Sequence, residues 1–433
     1  MEGKLSPGPG MPASEVAAHQ SARIHQAMIE IVAQRGYDAV KVRELVHLAG
    51  VSSRAFYEHF ESKENCFLRT YELVARPAVR QLIAAQAGEG DWRERPRLIF
   101  SAFARELEGA PDRARLALVE AYAAGPAALE LARRTEGTFE AMLAESFARA
   151  PGGIPVPPMI IEGMIAGVGK VARGRLLSGR EGELAALNEE MMEWALSYPG
   201  KHADELADLD LQLVWRDTRL QPLIDSGGAG GGEAEFETGD RALILSSVAK
   251  LTATTTYSNL TASAIRRGAG VSRKAFNSHF EGVEDSFVAT MEQRTAAVLA
   301  QAARAQAAGS TGSGGLYRAI SALCDEIAAD PLLIGICLSD DFRSDSTGSR
   351  VRARLVAAVA DQLSDGASPS GSASALIMEA STGASWALFH HHVIRALAHS
   401  SPQVAATLAF TALAPVVGAG DATMAIRGEH GPA

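Results

Sequence analysis

Several groupings in this 433-residue chain have the residue types for chemistry, and most of them fail on spacing. His390, His391 and His392 are consecutive. Neighbours on a helix point about 100° apart, so three in a row cannot converge on one metal ion, and a solvated or interface cluster fits them better. Gly163 to Lys170 superficially resembles a phosphate loop, but the Gly-x-x-x-x-Gly-Lys-Ser/Thr spacing fails and Val171 follows the lysine. Cys66, Cys324 and Cys337 show neither CxxC spacing nor an even framework, which suits a reducing, cytoplasmic setting. No nucleophile–base pair stands out, so the expectation is a protein that is not an enzyme and uses no metal or cofactor.

One grouping survives, because it occurs twice. Gly50-Val51-Ser52-Ser53-Arg54-Ala55-Phe56-Tyr57-Glu58-His59-Phe60-Glu61 returns as Gly270-Val271-Ser272-Arg273-Lys274-Ala275-Phe276-Asn277-Ser278-His279-Phe280-Glu281, at a constant offset of 220. That is too long for a solenoid unit and implies duplication of a whole domain. Each copy has the grammar of a helix-turn-helix. A glycine permits the tight turn, a serine caps the next helix, and two phenylalanines on one face bury it.

The flanking residues carry a resemblance. Val42-Arg43-Glu44-Leu45, Ala49-Gly50-Val51-Ser52 and Phe56-Tyr57-Glu58-His59-Phe60-Glu61-Ser62-Lys63-Glu64 are together similar to the DNA-binding signature of the tetracycline-repressor (TetR) family. The resemblance implies that Arg43, Ser52, Ser53, Arg54, Tyr57 and His59 face DNA. Arg54 would read guanine or pair with phosphate, Tyr57 and His59 would meet phosphate or a thymine methyl, and Lys63 would bind phosphate at a helix N-terminus. In the second copy the matching set is Ser272, Arg273, Lys274, Asn277 and His279. That copy departs from the pattern, with Asn277 for Tyr57, Gly282 for Ser62 and Val283 for Lys63. It either reads a different half-site or has drifted into a structural role.

These segments need helices to hold them. Aromatics are only 6% of the chain, helix formers dominate and β-branched alternation is rare, so an all-α fold is expected. Ile24, Met28, Ile31 and Val32 predict a first helix from Ser21 to Arg35, and Ile244, Val248 and Leu251 repeat that spacing. Prolines and glycines before Ala18 predict a disordered arm over 1–18. A helix-turn-helix domain over 19–65 and a helical ligand-binding and dimerisation domain over 66–200 follow. A connecting helix and glycine-rich linker occupy 201–239. A divergent helix-turn-helix over 240–285, a second helical domain over 286–420 and a flexible tail over 421–433 complete the plan. No apolar run is long enough to span a membrane. The net charge of −10 argues against a protein that coats nucleic acid indiscriminately, not against a local basic patch.

The resemblance implies a regulator of transcription, most readily a repressor released by a small apolar ligand. Its partner would be a double-stranded DNA operator. Two family members fused would form an intramolecular pseudo-dimer, with recognition helices ~34 Å apart and further homodimerisation left open. Residues 159–177 and 183–198 would pack against 375–398 and 402–415. Phe103, Tyr122, Phe139, Met142 and Met164 in the first half, and Cys337, Trp386 and Phe389 in the second, are the candidates for lining a ligand cavity. The alternative is a sensor or interaction protein in which one or both helix-turn-helix copies no longer bind DNA.

Overall fold

The computed structural model describes residues 12–85, 91–150, 156–198, 239–252, 260–308, 313–329, 375–388 and 401–429. All regular structure among them is helical, as the composition predicts. They divide into two compact units. One holds the described residues up to 150 together with 169–192. The other holds 156–168, 193–198 and the described residues from 239 onward.

In the first unit, α1 (Ala13–Arg35) buries Ile24, Ala27, Met28, Ile31 and Val32 along one stripe. It starts well before the predicted Ser21, so residues 13–18 are helix rather than disordered arm. Pro12 precedes an Ala-Ser-Glu-Val-Ala-Ala run whose three alanines and glutamate favour helix, and Glu15 sits in the first turn where the helix dipole favours it. α1 ends at Gly36, whose positive φ of 77° turns the chain while its N–H donates to the Val32 carbonyl. α2 (Val42–Ala49) and α3 (Ser53–His59) are joined through Gly50, which is left-handed at φ 60°. The Ser52 hydroxyl caps α3 by accepting from Ala55 N–H at 3.1 Å, and Ser62 caps α4 (Lys63–Ala85) by accepting from Asn65 N–H at 3.0 Å. Phe56, Phe60, Cys66 and Phe67 close one core with the α1 stripe, Leu45 and Leu116.

The unit continues through α5 (Glu94–Gly109), α6 (Pro111–Leu118), a 3-10 turn at Glu120–Tyr122, and α7 (Pro126–Ala148). α8 (Pro158–Leu177) and α9 (Asn188–Leu196) each cross from one unit into the other. The helix predicted over 183–198 is shorter than expected, because 3-10 turns occupy Glu181–Glu183 and Ala185–Leu187.

The second unit repeats the opening motif. α10 (Asp240–Thr252) precedes α11 (Ala262–Ala269), α12 (Arg273–His279) and α13 (Val283–Ala307). The last three begin 220 residues after α2, α3 and α4. The buried side chains keep that offset: Ile244 for Ile24, Ile265 for Leu45, Phe276 for Phe56, Phe280 for Phe60, Phe287 for Phe67. Thr70 and Thr290 each donate to the carbonyl four residues back at 2.7 Å. Gly270 takes φ 70°, and Ser272 caps α12 by accepting from Ala275 N–H. Gly282 has no side chain to cap α13, and the Asp285 carboxylate instead accepts from Glu281 N–H at 2.9 Å.

The unit ends with α14 (Ser313–Ala329), α15 (Ala375–Leu388), α16 (Ser401–Val417) and α17 (Ala419–Glu429). α17 corrects the predicted tail. Ala422, Thr423 and Ile426 form a buried stripe, and the helix packs on α14 and α16. α16 also runs through Pro415 instead of stopping there. The glycine-rich linker lies outside the described residues, as does the stretch 389–398 that was predicted to extend α15.

Truncating a buried phenylalanine in either motif should cost about 3–5 kcal/mol. Phe56→Ala should speed hydrogen exchange in α1–α4, and Phe276→Ala in α10–α13. Unchanged exchange in α10–α13 of Phe276→Ala would mean that the second motif is not a cooperatively folded unit.

Candidate nucleic-acid interface

α3 is seven residues long with two unlike faces. Ala55 and Phe56 are buried, while Ser53, Arg54, Tyr57 and Glu58 are exposed, Tyr57 to 60%. The Tyr57 ring stands edge-on to Phe56 at 5.2 Å, which orients it although it is solvent-facing. Arg54 Nε is 3.0 Å from Glu58 Oε1 in a pair exposed on both sides. Such a pair is worth ~0–1 kcal/mol, so a phosphate or a guanine edge can displace the carboxylate. Arg43 on α2 is exposed as well. Ser52 is exposed, and its oxygen is already engaged as the cap.

Two predicted contacts are used differently. Lys63 Nζ donates to the Tyr37 carbonyl at 3.3 Å and lies 4.1 Å from the Tyr37 ring centroid, half-buried rather than displayed. Burial, with Glu64 next, pushes the Tyr37 hydroxyl up to about 12, so the lysine faces a neutral ring. His59 is half-buried with Nε2 3.4 Å from Gln20 Oε1 on α1. Both side chains tie α3 and α4 to the α1 side of the motif.

Sequence reasoning missed the groups behind this surface. Glu120, on the 3-10 turn, sends a buried carboxylate to the α1–α2 connection, where it accepts from Tyr37 N–H at 2.9 Å. Burial pushes its pKa up, against the pull of Tyr37 N–H and of Arg115, whose Nε is 3.7 Å away. Nothing in the spacing of a lone glutamate signals this. His25 on α1 packs edge-on against Phe60 at 5.2 Å, and its Nδ1 is 2.7 Å from Thr70 Oγ1. Thr70 gives its own proton to the Cys66 carbonyl, so the ring must donate from Nδ1. Burial lowers the His25 pKa, followed by the charges of Arg69 and His59. Leu245 occupies the matching place in the second motif.

α12 presents Arg273, Lys274, Asn277, Ser278 and His279 to solvent. Its His279 is exposed, whereas His59 is half-buried. Arg241 lies over the Phe280 ring at 5.7 Å, where the first motif has Arg69 over Phe60 at 5.9 Å. Ser247 donates to the Ile265 carbonyl and fills the space that a side chain at Gly268 would need. The first motif has Leu48 there, exposed to 47%.

The residues predicted to line a ligand cavity do not form one group. Phe103, Phe139 and Met142 cluster with Leu82 and Ala102, with ring centroids 6.3 Å apart. Tyr122 sits in a polar cluster instead. Its hydroxyl donates to Glu136 Oε1 at 2.6 Å and accepts from Arg173 Nη1 at 3.1 Å, and burial pushes its pKa up. Met164 is buried in the second unit and Trp386 is half-buried on α15. Cys337 and Phe389 lie outside the described residues. Burial pushes the thiols of Cys66 and Cys324 up to about 12, far from a reactive thiolate. No cluster of metal-binding side chains, and no helix long and apolar enough to cross a membrane, occurs among the described residues.

An exposed polar helix set by a glycine turn on an apolar three-helix base defines the DNA-reading helix-turn-helix class. Residues 24–70 match the model of the family described as bacterial regulatory proteins, tetR family. This is a family of regulators rather than enzymes. No curated protein matches the chain significantly. Among solved structures, it is similar to the transcriptional regulator FadR from Bacillus subtilis in complex with stearoyl-CoA (17% identity, 41% of this chain and 97% of that one, TM-score 0.37). It is also similar to a tetR-family regulatory protein from Rhodococcus RHA1 (21% identity, 42% and 97%, TM-score 0.36). A third is a TetR family transcription regulator from Marinobacter aquaeolei VT8 (20% identity, 41% and 95%, TM-score 0.34).

The half-buried His25 should make the first helix-turn-helix acid-sensitive. Its folded pKa lies below the ordinary 6.5, so on acidification the unfolded chain takes up the proton first. Stability is full above that value and is lost as pH falls toward the folded pKa. His25→Leu, matching Leu245, should flatten this loss. Hydrogen exchange of α1–α4 between about pH 8 and pH 5 tests it, and an acid limb unchanged in the variant would assign the effect to another group.

Proposed function

We propose that this chain is a sequence-specific transcriptional regulator, a repressor released by a small apolar ligand, which carries two non-identical DNA-binding heads in one polypeptide. The observation that supports two heads is the recurrence of α2–α4 as α11–α13 at an offset of 220, with the left-handed glycine, the serine cap and the buried phenylalanine pair all repeated. Polar and cationic side chains are retained on the exposed face of α12, which a purely structural remnant would have no need to keep.

On this reading Arg43, Ser53, Arg54 and Tyr57 meet one half-site, and Arg273, Lys274, Asn277 and His279 meet the other. Ser52 and Ser272 serve first as caps, while Lys63 and His59 brace the first head and reach phosphate only if they leave Tyr37 and Gln20. A homodimer sees two equal half-sites. Tyr57 on one head and Asn277 on the other fit an operator with unequal halves, with Asn277 suited to adenine and Arg54 to guanine. The ligand acts by preferring the conformation that binds DNA poorly, since equal affinity for both states shifts nothing. The Phe103–Phe139–Met142 cluster is the apolar site this reading favours in the first half.

Val283 in place of Lys63, with the uncapped Gly282 beside it, favours a second reading in which the second head no longer grips DNA.

Footprinting with variant proteins separates the two. Arg54→Ala and Asn277→Ala should each weaken binding by ~1–3 kcal/mol, roughly ten- to a hundredfold, and relax selection in a different half-site. A perfectly palindromic operator, or an Asn277→Ala protein that binds like the parent, would defeat the two-headed reading.

A further inference from the structure

The second unit contains a seam between the end of the first half of the chain and the helices of the second half. On α8, Gly163 and Gly167 face α15. A Cβ built on Gly163 would stand 3.1 Å from Leu388 Cδ1 and 3.6 Å from Ala384 Cβ. One built on Gly167 would stand 2.5 Å from the Trp194 ring and 2.7 Å from the Ala380 carbonyl oxygen. Two helix backbones therefore approach closely, with an indole laid over the gap that the missing side chain leaves.

Two buried hydrogen bonds fix the seam. Trp194 Nε1–H donates to Ser381 Oγ at 2.9 Å, and Tyr198 O–H donates to the Thr411 carbonyl at 2.9 Å. Both aromatic side chains are essentially inaccessible. The second bond has a specific cause. In a continuous helix the Thr411 carbonyl would accept from the N–H four residues on, but that residue is Pro415, which has none. Pro415 thus leaves an unpaired acceptor in the interior of α16, and Tyr198 supplies the missing proton.

Neither side of this seam complements itself. α8 (Pro158–Leu177) contains no serine or threonine, so two copies of the α8–α9 segment would bury each Trp194 N–H without the hydroxyl that Ser381 provides. α16 (Ser401–Val417) contains no tryptophan or tyrosine, so two copies of the second half would bring no donor from that helix to the Thr411 carbonyl. A buried donor or acceptor left unmatched costs far more than a matched pair contributes. Residues 199–238 join the two sides, with a fully extended reach on the order of 100 Å. A tether of that length gives the attached second half a higher effective concentration than a free copy would have in dilute solution.

We propose that the α8–α9 segment is a self-excluding lock whose partner is the α15–α16 segment of the same chain, so that the protein closes on itself and does not pair with a second copy through this surface. The proposal rests on the reading of the chain as two fused halves. It adds the specificity device that keeps each half from pairing with its own kind.

A disulfide trap reads out the partner directly. Gly163→Cys with Ala384→Cys, in a full-length Cys337→Ser background, places two Cβ atoms within the ~3.5–4.5 Å that a disulfide needs. Mild oxidation should give a single-chain species at every protein concentration, with the 163–384 link found by peptide mass mapping. Mixing the two single-cysteine proteins should give no covalent dimer. Covalent dimers in either experiment would overturn the lock while leaving the footprinting test of two heads untouched. A folded double variant that fails to cross-link would show the seam itself to be absent and would overturn the proposal too. If the cysteine pair prevents folding, Tyr198→Phe removes one hydroxyl and little else. It should speed hydrogen exchange in α15–α16 about tenfold while light scattering still reports one chain. A Tyr198→Phe protein that exchanges like the parent would overturn the proposal.

Discussion

Burial of Phe56 and Phe60 is the interaction on which the first DNA-facing surface depends. A seven-residue helix cannot hold itself in water, because nucleation costs more than so few hydrogen bonds return. α3 persists because Phe56 is fully withdrawn into the core, Ser52 satisfies the first turn, and the left-handed Gly50 lets the chain reverse before it. With that anchor set, the periodicity of the helix leaves Ser53, Arg54 and Tyr57 outside. The same arrangement of Phe276, Ser272 and Gly270 sets α12, so the polar residues of both helices are free to differ while their supports stay alike.

The two supports are not identical, and the differences lie behind the exposed faces. In the first head the α1–α2 connection is held at Tyr37 from two sides: by the buried Glu120 carboxylate on its N–H and by Lys63 on its carbonyl and ring. The 3-10 turn that carries Glu120 also carries Tyr122, bonded to Glu136 and Arg173 among the later helices of that unit. Three residues of chain therefore share a fixed attachment to the head and a polar attachment to the helical body. The second head has Val283 where the first has Lys63 and Leu245 where it has His25, so its packing there is apolar and insensitive to protonation.

The two helix-turn-helix motifs were legible in the sequence because each of their rules is local. A glycine turn, a serine cap and two phenylalanines four apart fix a short helix with little help from elsewhere, and repetition at one offset removes coincidence. Boundaries set by tertiary burial were not legible. Ala13–Ala18 and Ala419–Glu429 are short alanine-rich stretches beside glycines or prolines, and only the packing of α17 on α14 and α16 distinguishes it from a tail. The cavity candidates could not be told from core side chains in the sequence for a related reason. Aromatic and sulfur side chains read alike whether they fill a core, as Met164 does, or join a polar cluster, as Tyr122 does. Lys63 and His59 were legible as residue types but not in their contacts within the chain, since a cation near a helix start points to phosphate or to a nearby ring with equal ease.

The acidity of the whole chain bears on how exposed cations of this kind can meet DNA. A net charge of −10 disfavours loose association with DNA, and counter-ions screen that repulsion beyond about 8 Å at physiological salt. Contacts made within that distance therefore decide binding. Arg54 is already paired with Glu58, but a pair exposed on both sides is worth only ~0–1 kcal/mol and leaves the guanidinium available. Arg273 and Lys274 stand at the exposed start of α12, where the matching first-head residues are Ser53 and Arg54. The exposed face of α3 thus carries its cation beside a carboxylate, while that of α12 starts with two adjacent cations.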